Sequence, residues 1–495
     1  MMYFLGYDIG SSSIKAALVN AETLAHVHIV KYPAFELPIS SPEKGWAEQN
    51  PEDWWGNLIE ATHKLIQESG IDGHQVVSIG ISYQMHGLVL VDKDREVIRP
   101  SIIWCDSRAV EIGEAAWKSL GKDFCLSHLL NSPANFTASK LKWVQHNEPE
   151  LYQRIDKFML PGDFIAMKMT DKIKTTIEGL SEGIFWDFKE KSISNRLLDH
   201  FGFDSNLIPE LVDGVGIQGK VTAGAAEVLG LKPGIPVAYR AGDQPNNAMS
   251  LNVLNPGEVA ATGGTSGVIY GVTDKPQFDK QSRVNGFAHV NYSDQNPRIG
   301  ILLCINGAGI QYNWTRQMLD SEQSYESIEE VLKEVPVGAE GLSFLPFGNG
   351  SERIFENKDI GSHLSGIDLN RHGKPHIFRA TLEGIAFAFV YGAEIMKEMG
   401  VCMQTIRVGN DNLFQSNVFS KTIATLLNCN IEIYNTTGAV GAAKAAGVGA
   451  GYINSLEEAM NNQELAETIR PEENLLPYQE AFSAWKHRLE VELNK

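Results

Sequence analysis

GYDIGSSSIKAALV, residues 6–19, decides the reading of the fold. The apolar run 3–9 suits a strand, Gly10-Ser11-Ser12-Ser13 a tight turn, and 14–19 a second strand. The same design returns as GEVAATGGTSGVIYGV at 257–272, again strand, Gly/Thr/Ser turn and strand. Two halves that open alike predict related lobes. Strand and helix signals alternate along most of the remaining chain, which predicts an α/β architecture. Residues 50–70 predict a helix, with Asn50 as N-cap, Pro51 at its first position, Glu52 and Asp53 at its positive end and Gly70 as its stop. Trp54, Leu58, Thr62 and Leu65 recur at helical spacing and give that helix a face to bury on a sheet. VVSIGIS (76–82) predicts a buried strand ending at Gln84-Met85-His86-Gly87, and such strand ends are where open α/β sheets hold ligands. Further on, 376–400 and 417–429 predict helices, 431–434 a strand, and the small-residue run 438–452 a helix suited to close packing. The expected domains are 1–249, 250–455 and a charged helical tail, 456–495.

The chain has 495 residues, enough for more than one core, and 43% hydrophobic against 21% charged residues suits a globular protein. Asp plus Glu number 61 against 42 for Lys plus Arg, a net charge of -19. A surface that acidic repels phosphate backbones and anionic lipid, so neither nucleic acid nor membrane is an expected partner. It also means that a polyanion such as ATP needs a local site of backbone N–H groups and metal. The five cysteines (Cys105, Cys125, Cys304, Cys402 and Cys429) show no C-x-x-C pair and no zinc spacing, as suits free thiols in a reducing compartment. The N-terminus has no basic leader and carries Asp8 inside its apolar run, and no uncharged apolar stretch reaches spanning length. The expected location is the cytoplasm.

Four constellations carry chemistry. Asp8 with Ser11, Ser12, Ser13 and Lys15 makes a hairpin tip that can offer N–H and O–H groups to phosphate, with Asp8 placed to hold a hydrated Mg²⁺. Thr262-Gly263-Gly264-Thr265-Ser266-Gly267 is a second such turn, and two of them across a cleft would grip one nucleotide from both sides. Ordinary hairpins are the plain alternative for each. Neither is a Walker loop or a dinucleotide fingerprint. Arg240-Ala241-Gly242-Asp243-Gln244-Pro245 follows a strand-like run, and Asp243 at such an end can accept a proton from a sugar hydroxyl. Gln84, Met85 and His86, with Trp104 further on, offer directional hydrogen bonds and a flat apolar face to a sugar.

Taken in order, these segments resemble the FGGY carbohydrate kinases of the sugar kinase, actin and heat-shock ATPase superfamily. GYDIGSSSIKAALV (6–19) resembles the family's first phosphate loop and TGGTSG (262–267) its second; AGDQPNNA (241–248) is similar to its catalytic-aspartate segment, and PGDFIAMKMT (161–170) to a further segment of its first lobe. WAEQNPEDWW (46–55) and QMHG (84–87) are similar to segments of the xylulose-phosphorylating members. The resemblance implies two ribonuclease H-like lobes with an interlobe cleft that closes on substrate. It implies Asp243 as general base, contacts to sugar from Gln84, Met85, His86, Trp104 and Gln244, and Asp8 beside the metal. Ser11 to Ser13, Lys15, Gly264, Thr265, Gly307, Gln311, Gly409, Asn412 and Ser416 are the implied nucleotide side. The expected cofactors are ATP and Mg²⁺, the partner a small sugar, and a homodimer the assembly allowed for.

Three departures stand out. Asp243-Gln244 matches the Asp-Gln of glycerol-phosphorylating members, where xylulose-phosphorylating ones have Asp-Asn. Gly409-Asn410-Asp411-Asn412-Leu413-Phe414-Gln415-Ser416 replaces a shorter, glycine-rich adenine-side loop, and Gly350-Ser351-Glu352-Arg353-Ile354 replaces Gly-Glu-Arg-Thr-Pro. The implied reaction is phosphorylation of a ketopentose, D-xylulose to D-xylulose 5-phosphate first. Glycerol, gluconate and ribulose are alternatives within the chemistry, and a non-catalytic nucleotide or sugar sensor is the rival from outside it.

Overall fold

The computed structural model describes residues 1–495. The first sheet is built from β1 (Tyr3–Ile9), β2 (Ile14–Asn20), β3 (His26–Tyr32), β4 (Val76–Tyr83), β5 (Val215–Lys220) and β6 (Pro236–Gly242), in the order β5-β6-β4-β1-β2-β3. The three N-terminal strands form an antiparallel meander, β1, β4 and β6 run parallel, and β5 returns antiparallel at the edge. A seven-stranded second sheet uses β7 (Val259–Gly263), β8 (Gly267–Thr273), β9 (Asn285–Ala288), β10 (Ile299–Ile305), β11 (Thr405–Gly409), β12 (Asn430–Tyr434) and β13 (Leu465–Ile469). Its order, β9-β10-β8-β7-β11-β12-β13, repeats the first sheet with β9 added at one edge. The repeated hairpin motif thus marks a repeated lobe. The segment expected as a helical tail, 456–495, does hold helices but also contributes β13, because Leu465–Ile469 completes the second sheet by pairing with β12.

Helix α1 (Pro51–Ser69) has the expected ends, with the Asn50 side chain accepting from Glu52 N and Gly70 left-handed at φ 69°. Trp54, Leu58, Thr62 and Leu65 are fully buried, and this face packs on β2 and β3. Six later helices matter to the site: α2 (Pro161–Thr170), α3 (Ile177–Glu182), α4 (Asp243–Ser250), α5 (Gly309–Asp320), α6 (Asn417–Leu427) and α7 (Gly438–Gly449).

The lobes are joined by exchanging helices. α7 leaves the second sheet at β12 and lies across β1, β2, β4 and β6 of the first; α4 leaves the first sheet at β6 and touches β7, β8 and α7. Close approach requires bare backbone at the crossing. A Cβ on Gly6 would lie 1.9 Å from Ala439 O, one on Gly80 2.0 Å from Ala442 O, and one on Gly441 1.7 Å from Ser250 Oγ. The small-residue run therefore packs against a sheet, and that sheet belongs to the other lobe. Edge strand β9 is also pinned across the divide. Asn131 Nδ2 donates to Gly286 O (2.7 Å), Gly286 N donates to Asn131 Oδ1 (3.2 Å), and Ala288 N donates to Ser181 Oγ (2.8 Å).

Candidate active site

β6 delivers Asp243. Its residues 237–241 are buried, and it is braced from behind by Arg240, whose Nε lies 3.0 Å from Asp163 Oδ1 and whose Nη2 donates to Lys174 O (3.0 Å). Asp163 comes from the PGDF segment at the start of α2, and Gly162 there lets Tyr83 of β4 pack close: a Cβ would sit 2.1 Å from its ring. That segment is a brace for two strand ends. Asp243 opens α4. Burial first, and the Asp8 carboxylate second, push its carboxyl up to about 7. A carboxylate poised there is suited to act as a base near neutral pH.

Asp8, next to last in β1, lies opposite Lys15 in the strand register, and Ser82 Oγ donates to its Oδ1 (3.0 Å). The N-terminus of α7 arrives at the same place: a Cβ on Gly438 would lie 3.1 Å from Asp8 Oδ2, 3.1 Å from Asn246 Nδ2 and 3.2 Å from Asn247 Oδ1. Asn246 Nδ2 donates to Gly438 O (3.0 Å), while its Oδ1 is buried without a partner. Two carboxylates and unpaired amide oxygen beside a helix N-terminus suit a hydrated divalent cation and the phosphate oxygens it accompanies. No cluster of three His, Cys, Asp or Glu side chains forms a full metal cage, as an ion that keeps its waters requires none.

On the other flank, Met85 is buried against Gly242, where a Cβ would meet Met85 Cγ at 2.6 Å. The His86 ring packs edge-on to Phe136 (4.9 Å between centroids) and tilted to Phe287 of β9 (5.4 Å). Burial, then Lys140, lower its pKa to about 3, so the ring is neutral. Gln84 is buried, with Nε2 donating to Gln49 Oε1 (3.3 Å) and Oε1 unpaired. Trp104 is 48% exposed, and its Nε1 donates to Ser11 Oγ (3.4 Å), linking this flank to the first Gly/Ser loop. Gln244 follows Asp243 in the first turn of α4, partly exposed.

The two loops differ in what they leave open. Gly10 N donates to Ser13 O (3.0 Å), and Ser13 is buried while Ser11 and Ser12 are partly exposed. In the second loop, Gly309 N donates to Gly264 O and Ile310 N to Thr265 O, both at 3.0 Å, which seats the start of α5 on it. A Cβ on Gly264 would meet only Ser266 O, at 3.9 Å, so its backbone faces open space. Gly307 packs instead on Pro346 O, 1.6 Å from where its Cβ would be. Gln311 is buried, its Oε1 accepting from Ser362 Oγ (2.6 Å). Ser416 caps α6 at Phe419 N (3.3 Å) and donates to Glu329 Oε2 (2.9 Å). Both side chains expected to meet nucleotide thus have their polar atoms engaged by the protein. Gly409 ends β11, and Asn412 is left-handed at φ 55°. Leu413 then seats the unusual loop against Gly263, 2.9 Å from where its Cβ would be. In the other departing segment, the Glu352 carboxyl accepts from Asn306 N (2.9 Å), close to where the chain enters α5.

Comparison with known proteins gives this geometry its family. The models of the N-terminal and C-terminal domains of the FGGY family of carbohydrate kinases match residues 3–250 and 259–450. The chain belongs to that family. A Bacillus subtilis relative named xylulose kinase is 29% identical over 98% of this chain and 96% of its own. An Escherichia coli relative named L-xylulose/3-keto-L-gulonate kinase is 28% identical over 98% of this chain and 96% of its own. A solved Brucella ovis structure, described as a "xyloylose kinase", superposes with a TM-score of 0.89 at 26% identity, covering 99% of both chains. This FGGY kinase is therefore an ATP-dependent sugar kinase, and it has no helix long and apolar enough to cross a membrane.

The sequence alone does not point to several residues of the site: Glu182, Lys140, Phe287 and the α7 start at Gly438. The one local signal was Asn435-Thr436-Thr437-Gly438, a polar stretch between strand and helix whose Thr437 side chain caps α7. Nothing local marks the others, since they reach the site from helices and strands far away in sequence.

Proposed function

We propose that this FGGY kinase transfers the γ-phosphoryl group of ATP to a ketopentose, D-xylulose first, giving D-xylulose 5-phosphate and ADP. The observation that carries the reading is Asp243 at the end of β6, with Met85 and His86 on one side and Asp8 with the α7 N-terminus on the other. The sugar lies against Met85, His86 and Trp104. Asp243 takes the proton of the attacking hydroxyl as its oxygen forms the new bond to phosphorus and the bond to the ADP oxygen breaks. Ser11, Ser12, Lys15, Gly264 and Thr265 face the phosphates from the two loops, with Gly409 and Asn412 further along the nucleotide side. Asp8 would hold Mg²⁺ beside the phosphates, and the ion would supply charge neutralisation at the transferring group. Relatives named for xylulose kinase support the choice of sugar.

A second reading, another ketose or a sugar acid, draws on Gln244 and on the relative named for L-xylulose and 3-keto-L-gulonate. Coupled ADP release with MgATP against D-xylulose, L-xylulose, ribulose, gluconate and glycerol separates them. A dominant kcat/KM for D-xylulose is expected; a dominant value for gluconate or glycerol overturns the choice of sugar, and silence with all of them overturns the reading.

A further inference from the structure

His86 has a backbone shape that needs outside support. Its φ is 62°, in the left-handed region, where a non-glycine residue is strained. Two ionisable side chains surround it. Glu182 Oε1 accepts from His86 N (3.2 Å), Glu182 O accepts from the ring Nδ1 (3.0 Å), and Lys140 Nζ donates to His86 O (2.9 Å) and Ile103 O (3.0 Å). Glu182 and Lys140 are themselves 2% and 0% exposed. The second Glu182 oxygen rests against Gly242, where a Cβ would lie 2.5 Å from Oε2. One carboxylate therefore touches both strand ends, the one that carries His86 and the one that carries Asp243. Burial raises the Glu182 carboxyl well above its ordinary range and lowers the Lys140 ammonium, so placing both here costs stability that apolar residues would not. The geometry serves orientation.

We propose that Glu182 and Lys140 are positioning residues of the sugar site: they fix His86 with Nδ1–H pointing at Glu182 O, so that Nε2 is presented as an acceptor to a substrate hydroxyl at a set distance from Asp243. The Glu182 carboxyl oxygen sets the backbone from the N–H side, the Lys140 Nζ from the carbonyl side, and the helix α3 carbonyl selects the tautomer. Nε2 has no protein partner, which leaves it for the sugar. The inference rests on the reading that the sugar binds at this strand end.

The test uses the full chain with Glu182→Ala and the isosteric Glu182→Gln, assayed with whichever sugar the wild type phosphorylates. Glu182→Ala should raise the sugar KM about tenfold or more while the ATP KM stays within about twofold. Glu182→Gln, whose amide oxygen still accepts the His86 N–H, should recover most of that loss. An unchanged sugar KM in Glu182→Ala, equal rises for sugar and ATP, or no recovery in a Gln variant that melts like the wild type each overturns the proposal. Imidazole nitrogen NMR of His86 in the free protein gives a readout that needs no substrate. A single Nδ1–H tautomer that does not titrate between about pH 5 and 8 in the wild type, and becomes mobile in Glu182→Ala, supports the clamp even if the choice of sugar is wrong. A wild-type ring that titrates in that range overturns it.

Discussion

Protonation of Asp243 should govern how the kinase responds to pH. Its carboxyl sits at about 7 because burial disfavours the charge and Asp8 adds a like charge nearby. A carboxyl there is about one-tenth ionised at pH 6 and about nine-tenths at pH 8, so kcat/KM for the sugar should rise roughly tenfold across that interval. A carboxyl at its ordinary value would give a flat line. The same shift has a consequence for stability with a defined sign. The folded protein holds a proton that the unfolded chain has released, so this group's contribution to stability falls as pH rises between about 4 and 7 and stays low above. Asp243→Asn carries no such charge. Its melting temperature should therefore exceed the wild type's at pH 8, with the difference shrinking toward pH 4, while its kcat falls by roughly 10²–10⁴. Asp8→Asn should move the titration of Asp243 to lower pH, observed by carboxyl carbon NMR in protein free of metal and nucleotide. A flat rate profile, or a melting difference that does not change with pH, would refute the electrostatic account. Undiminished turnover by Asp243→Asn would refute its role as base.

Gly80→Ala should destabilise the protein by roughly 3 kcal/mol, since its methyl would meet Ala442 O at 2.0 Å with backbone on both sides; thermal melting that matches the wild type sinks the exchanged-helix packing. Ser416→Ala should cost about 1 kcal/mol of stability as a lost cap and leave the ATP KM within about twofold. A large rise in ATP KM at unchanged melting temperature would instead make that hydroxyl a nucleotide contact. Asn131→Ala strips the N–H and C=O of Gly286 of their partners, and should cost about 2 kcal/mol or more; differential scanning calorimetry reads it, and an unaltered transition removes Asn131 as the pin on β9.

Much of this molecule is legible one segment at a time. The hairpins at 6–19 and 257–272 announce themselves because strand, turn and strand are written in neighbouring residues, and α1 does so through Asn50, Pro51 and Gly70. Asp243 is legible too, as an acid placed where an apolar run stops. The reading weakens where a polar residue has two credible partners. The family resemblance gives Ser416 and Gln311 to the nucleotide, while the fold also uses one to cap α6 and the other to hold Ser362. Residues 456–495 read as a charged helix because β13 is an edge strand with little apolar pattern: Leu465, Ala466 and Glu467 are exposed.

Two α/β lobes, two Gly-rich turns and an acid at a strand end are written in the residues themselves, because local propensity and hydrogen-bond chemistry act within a few positions. That the lobes trade helices emerges from the folded packing. It alone showed that the glycines of β1 and β4 exist to admit the backbone of α7, and that Glu182 and Lys140 hold His86. Those contacts join residues about 50 to 430 positions apart, as in Gly6 with Ala439 and Lys140 with His86. Close packing of glycine against a carbonyl, or burial of a charge beside a strand end, is a fact about what lies across the interface, and no stretch of neighbouring residues records it.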